Sequence, residues 1–171
     1  QVNTYFNTTT SVTFDVCVGS PPPPPANDSP CGAYPVAVNA DLACGNVTSG
    51  TVLSALDSMV DSCTGSETDD VWFSFVATSS SHVIQLLNIV GTSTNLNHAV
   101  YDAPTCGTIA TGNNISCSDF NSSIVGGLTP FNTYYIQVYT NANGEFDTTF
   151  DVCVGTPPVV TNDEPCGATP L

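Results

Sequence analysis

The sequence predicts an all-β fold, an antiparallel β-sandwich of the jelly-roll or immunoglobulin-like kind, stapled by disulfides and repeated in tandem. Three observations carry the prediction. Apolar residues return at every second position in several short runs, the period of a half-buried strand. Turn-forming Gly, Asn, Ser and Pro break these runs at intervals of roughly ten residues, as in two-layer antiparallel sandwiches. Eight cysteines, an even number, are scattered over the 171 residues, with no Cys-x-x-Cys pair among them.

In chain order, Val12, Phe14, Val16 and Val18 alternate with Thr13, Asp15 and Cys17 and read as a strand. The five prolines Pro21–Pro25 come next; they fix φ and favour a polyproline II rod of about 3.1 Å per residue. Residues 52–60 are the one weakly helical stretch, and they lack a wide apolar stripe. Asp69-Asp70 reads as a turn before a strand whose face is Val71, Phe73 and Phe75. Residues 82–90 and 97–102 are two more strands, and Tyr134, Ile136 and Val138 mark another. Phe146, Thr148, Phe150 and Val152 repeat the rhythm at the far end. Gly91-Thr92-Ser93, Gly112-Asn113-Asn114 and Gly126-Gly127 supply turns between them. Leu128-Thr129-Pro130 followed by Tyr134 resembles the tyrosine corner of fibronectin-III-like sandwiches, where the hydroxyl caps backbone groups at a strand crossover. The alternative there is two ordinary tyrosines, Tyr134 and Tyr135.

Residues 13–19 read TFDVCVG, and residues 149–155 read TFDVCVG again. Gln1-Val2 matches Gln137-Val138 at the same offset of 136, and Cys31-Gly32-Ala33 matches Cys166-Gly167-Ala168 at 135. This period divides the chain into five parts. Residues 1–19 are C-terminal strand of a preceding repeat, 20–26 a proline-rich linker and 27–155 a complete sandwich repeat. Residues 156–161 form a second proline-containing linker, and 162–171 start the next repeat. Either a stretch of a much longer polypeptide or subunits that exchange terminal strands would produce such a chain.

There is no Lys or Arg, and 15 acidic residues give a net charge of −15. Charged residues are only 9% of the chain, so the acidity comes from missing bases. Without a cation the chain cannot neutralise phosphates, which excludes nucleic-acid binding and attachment to anionic lipid. No apolar run reaches the length of a membrane span, and no basic-then-apolar leader opens the sequence, which reads as mature or internal. Even cysteines without metal knuckles place the chain in an oxidising setting, extracellular or on a cell surface.

Cys106 and Cys117 bracket a loop between strands and suit a bridge at a hairpin end. Cys44 and Cys63 close the irregular stretch before the Val71 strand. Cys17 and Cys153 lie opposite the Phe/Val stripe of their strands, so their partners should sit outside the core. Cys17–Cys31 and Cys153–Cys166 would clamp the joints between repeats; the alternative is Cys31–Cys153. Closing the short loop of the Cys17–Cys31 clamp contributes about 3 kcal/mol in the chain-entropy model.

A longer set of residues carries a family likeness. It comprises Asn27-Asp28-Ser29-Pro30-Cys31-Gly32-Ala33, Cys44, Cys63, Asp70-Val71-Trp72-Phe73-Ser74-Phe75, Tyr101, Cys106-Gly107, Cys117-Ser118-Asp119, Gly127-Leu128-Thr129-Pro130, Tyr134-Tyr135-Ile136 and Phe150-Asp151-Val152-Cys153-Val154. In order and spacing it is similar to a repeated module of large secreted proteins of Bacteroidota, flavobacteria especially. That module resembles the bacterial pre-peptidase C-terminal domain, a small β-sandwich. The resemblance implies non-catalytic tandem modules on surface proteins, adhesins and extracellular enzymes, many exported by the type IX system. It also implies O-glycosylation at Asp-Ser/Thr sites, which points to Ser58 and Thr148. The acidic cluster the family often carries after its last loop cysteine is reduced here to Cys117-Ser118-Asp119-Phe120.

Little in the sequence supports catalysis. Asp69 and Asp70, adjacent on extended chain, point to opposite faces. His82, His98 and Ser79–Ser81 lack a nucleophile elbow. No cofactor is expected beyond a weak Ca²⁺ site of Asp102 and Asp119 with loop carbonyls. Covalent glycans are expected, with sequons at Asn7, Asn27, Asn46, Asn114 and Asn121. The expected role is a structural repeat unit of an extracellular filament or cell-surface adhesin, its partners being neighbouring repeats or subunits. The alternative is a carbohydrate- or protein-binding accessory module on the stalk of a secreted enzyme. An exposed aromatic platform of Tyr101, Phe120, Phe131 or Tyr139 would favour that alternative.

Overall fold

The period-two runs become the strands of two packed sheets. The computed structural model describes residues 13–61, 63–144 and 146–159. Its strands are β1 (Tyr34–Pro35), β2 (Val38–Asn39), β3 (Thr48–Thr51), β4 (Val71–Val76), β5 (Ser81–Val90), β6 (Leu96–Asp102), β7 (Asn114–Ser118), β8 (Ser122–Gly126), β9 (Thr133–Thr140) and β10 (Thr149–Gly155). One sheet has the order β1-β4-β9-β6-β7; the other runs β2-β10-β5-β8, with β3 also paired to β10. All ladders are antiparallel except the short β1–β4 and β2–β10 pairs. This is the all-β sandwich that the sequence predicts.

Between the sheets, Phe73 and Phe75 of β4, Val100 of β6 and Ile136 and Val138 of β9 face Ile84 and Leu86 of β5 and Phe150, Val152 and Val154 of β10. Burying each such side chain stabilises the fold by about 1.5–3 kcal/mol. Phe73 and Phe150 meet edge to face across the interface, centroids 5.9 Å apart. The tyrosine corner is present, the Thr129 N–H donating to the Tyr134 hydroxyl at 2.8 Å.

A second, smaller cluster lies on the outer face of the first sheet, where Val60 packs with Trp72, Ala99 and Tyr101. Asp70 pins this cover. Its carboxylate accepts from Trp72 Nε1 at 2.9 Å, Gln137 Nε2 at 2.8 Å, the Ser58 N–H at 2.9 Å and the Ser58 hydroxyl. Gln137 also donates to the Val60 carbonyl and accepts from the Tyr101 hydroxyl. Residues 52–60 are therefore not helical. Ser54 and Met59 adopt left-handed φ values of 59° and 62°, and Thr51 and Asp57 side chains accept the Leu53 and Met59 N–H groups, so local turns win. Residues 13–19, read as a strand, join no ladder among the described residues.

The bridges differ from every expected pairing: they are Cys31–Cys106, Cys44–Cys153 and Cys63–Cys117. Cys44–Cys63 is impossible because the two lie on opposite outer faces. Cys44 sits over β10 and β5, with Gln85 Nε2 donating to its sulfur, whereas Cys63 packs against the Trp72 cluster. Cys106–Cys117 fails because Cys106 belongs to a 3₁₀ turn, Cys106–Thr108, that meets the 3₁₀ turn Pro30–Gly32 and so finds Cys31. With Cys31 and Cys153 both occupied, Cys17–Cys31, Cys153–Cys166 and Cys31–Cys153 fall as well, and Cys17 is an exposed free thiol. Cys166 and Asn7 lie outside the described residues. The loops closed span 75, 109 and 54 positions, so each bridge contributes about 4–5 kcal/mol in the chain-entropy model, more than a hairpin-end staple.

Candidate functional site

A groove of about 520 Å³ opens where β1 of one sheet approaches the β3–β10 pair of the other. Its lining includes Tyr34, Asn27, Ser49, Gly50, Asn88, Phe150 and Asp151. Each follows from local structure. Phe150 points into the core and Asp151, one residue on, points out, as alternation requires. The ladder between β10 and β5 shifts register between Thr149 and Asp151, leaving a bulge at Asn88, whose φ is 51°. That bulge aims the Asn88 amide at Asp151 Oδ2, 2.8 Å away, while the Ser49 hydroxyl donates to Oδ1 at 2.5 Å. The Asn88 amide and the Ser49 hydroxyl together hold the carboxyl below its ordinary range, so Asp151 stays ionised.

Gly50 is required here. A Cβ on it would lie 2.6 Å from Phe73 Cζ and 3.1 Å from Phe150 Cζ, so only glycine lets β3 run over the aromatic pair. Tyr34 stands edge-on to Phe73 at 6.4 Å and is partly exposed, giving the groove an aromatic wall. Asn27 is fixed by reciprocal bonds with the Trp72 backbone and is buried. The arrangement offers a fixed anion, an amide and a hydroxyl beside an aromatic ring. Such a set suits a small neutral ligand rich in hydroxyls.

A second hollow, of about 410 Å³, lies at the β6–β7 and β8–β9 turns and is lined by Asp102, Pro104 and Phe131. Phe131 is 88% exposed at a left-handed φ of 73°. Of the expected platform, Phe120 is also exposed, but Tyr101 and Tyr139 are buried, their hydroxyls donating to Gln137 and to the Thr64 carbonyl. Alternation along β6 and β9 puts those two rings under the chain at Val60 and Thr64 rather than in solvent.

The other sequence-predicted residues sort by burial. Asp69 and Asp70 are buried with separate partners, Asp69 accepting from the Thr140 N–H and hydroxyl. Burial pushes Asp69 up and Asp70 up to about 6. His82 Nε2 accepts the Thr78 and Ser79 N–H groups, so the 79–81 serines gain no base from it. His98 meets the Ser123 hydroxyl at 2.6 Å, but its Nδ1 has no orienting acid, and burial lowers it to about 4. Asp102 and Asp119 belong to no group of three or more His, Cys, Asp or Glu side chains able to hold a metal among the described residues.

The expected glycan acceptors differ in exposure and partners. Thr148 is buried and donates to the Ser93 carbonyl, Ser58 is held by Asp70, and Asn27 is buried. Asn46 and Asn121 are exposed and Asn114 is half-buried. The sequence missed Tyr34, Ser49, Gly50, Asn88 and Asp151 as a set, because they come from four separate segments. The available signal was Asp151 itself, a charged residue kept in both copies of TFDVCVG.

Residues 27–152 match the family described as galactose binding domain-like and associated with the type IX secretion system. No curated protein matches the sequence. A crystal structure of PliG from Aeromonas hydrophila, a periplasmic inhibitor of g-type lysozyme, aligns with 71% of this chain and 98% of its own at 20% identity. Its TM-score is 0.36.

Proposed function

The chain belongs to the galactose-binding-domain-like family associated with the type IX secretion system, and from that premise we propose that it is a non-catalytic adhesive module of a secreted surface protein that holds a neutral carbohydrate in the groove beside Asp151. The supporting observation is the Asp151 carboxylate clamped by Asn88 and Ser49 next to Tyr34. Vicinal sugar hydroxyls donate to a fixed carboxylate and accept from an amide, and the apolar face of a pyranose lies against an aromatic ring. A chain of charge −15 with no cation repels acidic sugars and phosphates, which restricts the ligand to neutral glycans. The three disulfides and the family's secretion route support an extracellular setting. The repeated heptapeptide supports reading residues 27–155 as one module of a tandem array, flanked by the linkers 20–26 and 156–161.

Titration with galactose and neutral oligosaccharides, followed by amide chemical shifts, tests the site. Shifts should gather at Tyr34, Ser49, Asn88 and Asp151. Asp151→Ala should weaken binding about 10- to 100-fold, the scale of one charge-assisted hydrogen bond, while Phe131→Ala leaves it unchanged. Shifts gathered instead around Phe131 and Asp102, or no response to any neutral sugar, would overturn the assignment.

A further inference from the structure

Residues 13–19 carry the sequence of β10 but not its environment. In β10, Phe150, Val152 and Val154 are buried in the core, Cys153 is bonded to Cys44, and Asp151 accepts from Ser49 and Asn88. Gly155 is required there, because a Cβ would lie 2.8 Å from the Asp41 carbonyl and 3.0 Å from Leu42 Cδ2. The matching residues Phe14, Val16 and Val18 are 59%, 66% and 92% exposed, Cys17 is a free thiol, and Gly19 has nothing within 4 Å of its Cβ position. Every side-chain requirement of the β10 slot is thus written in 13–19 and unmet there. The glycine after Cys-Val is needed in β10 because residues 41–42 press on the strand, and nothing presses on Gly19.

We propose that residues 13–19 are the last core strand of a second sandwich of this family, lying N-terminal to residues 27–155, and that Cys17 forms a disulfide with that sandwich's counterpart of Cys44. The slot in residues 27–155 is already filled by their own β10, so 13–19 belongs in the corresponding slot of a neighbouring module. In that position 13–19 lies between the counterparts of β5 and β3, and Asp15 takes the groove position of Asp151. Two thiols become one S–S bond, and their two hydrogens pass by thiol–disulfide exchange to a disulfide oxidant, as for Cys44–Cys153. The joint is then Ser20–Ala26, about 22 Å of proline-rich chain at polyproline pitch. Pro21, Pro22 and Pro24 rest beside Val52, Ala55 and Leu56, which seats the linker on the following module.

This inference rests on the tandem-array reading, and its test is separate from sugar binding. The native secreted polypeptide is alkylated without reduction, digested with pepsin and an Asp-specific protease, and its disulfide-linked peptides are sequenced. The expected result is Cys17 linked to a cysteine 109 positions upstream, the separation of Cys44 and Cys153. Cys17 recovered alkylated, or linked to Cys31, Cys166 or any cysteine of residues 27–155, would overturn the strand assignment, and sugar binding at Asp151 would stand or fall on its own titration.

Discussion

Asp70 and His98 are both buried, and their titrations oppose each other. Burial raises Asp70 to about 6, against the donors around it, so the folded state holds that proton more tightly than the unfolded chain. Its contribution is present below 3.8 and is lost as pH rises through about 6, roughly 3 kcal/mol for a shift of this size. His98, lowered by burial to about 4, does the reverse. Its contribution is present above 6.5 and is lost as pH falls towards 4, again roughly 3 kcal/mol. Asp69, raised, adds to the first effect, and His82, lowered, adds to the second. Urea midpoints should therefore change little between pH 6.5 and 4. His98→Gln should unmask Asp70, so that the variant gains stability as the buffer is acidified across that window. A variant whose midpoint stays as flat across that window as that of the unmodified protein would show that His98 does not set the balance. Acid unfolding belongs below pH 3.8, where Asp147 and Asp151, both lowered by hydrogen bonds, finally protonate.

At the level of elements, the long internal strands were legible and the short edge ones were not. The runs at 82–90, 97–102 and 134–138 became β5, β6 and β9, because each turns a row of apolar side chains to the opposite sheet, and β6 and β9 bury their other face as well under the Trp72 cover. β7 and β8 escaped notice because they bury few side chains, and Asn, Ser and Gly dominate them. β3 is written Thr-Ser-Gly-Thr, which reads as a loop. Its strand character comes from the aromatic pair beneath Gly50 and from pairing with β10. Gly50→Val should push β3 off Phe73 and Phe150, at a cost of about 1–3 kcal/mol in chemical denaturation. The same substitution should abolish sugar binding while leaving the β4–β9 pairing intact by amide exchange. Retained binding in that variant would mean that β3 does not shape the groove.

For the molecule as a whole, the sequence announced a two-layer fold and a repeat, but not its cross-links. Spacing favours short loops, whereas the sandwich brings together cysteines that lie far apart in the chain and on matching outer faces. The Cys44–Cys153 bridge joins the loop after β2 to the final strand and so shortcuts nearly the entire module. Under tension applied at residues 27 and 155, only the stretches before Cys44 and after Cys153 can pay out, about 21 residues or 70 Å of slack. Reduction would lengthen that leash to about 450 Å for the same 129 residues. Single-molecule stretching should show short release steps in the oxidised protein and long ones after dithiothreitol. A chain of such units would meet a sudden tug by yielding a little in each link, and would keep its grip.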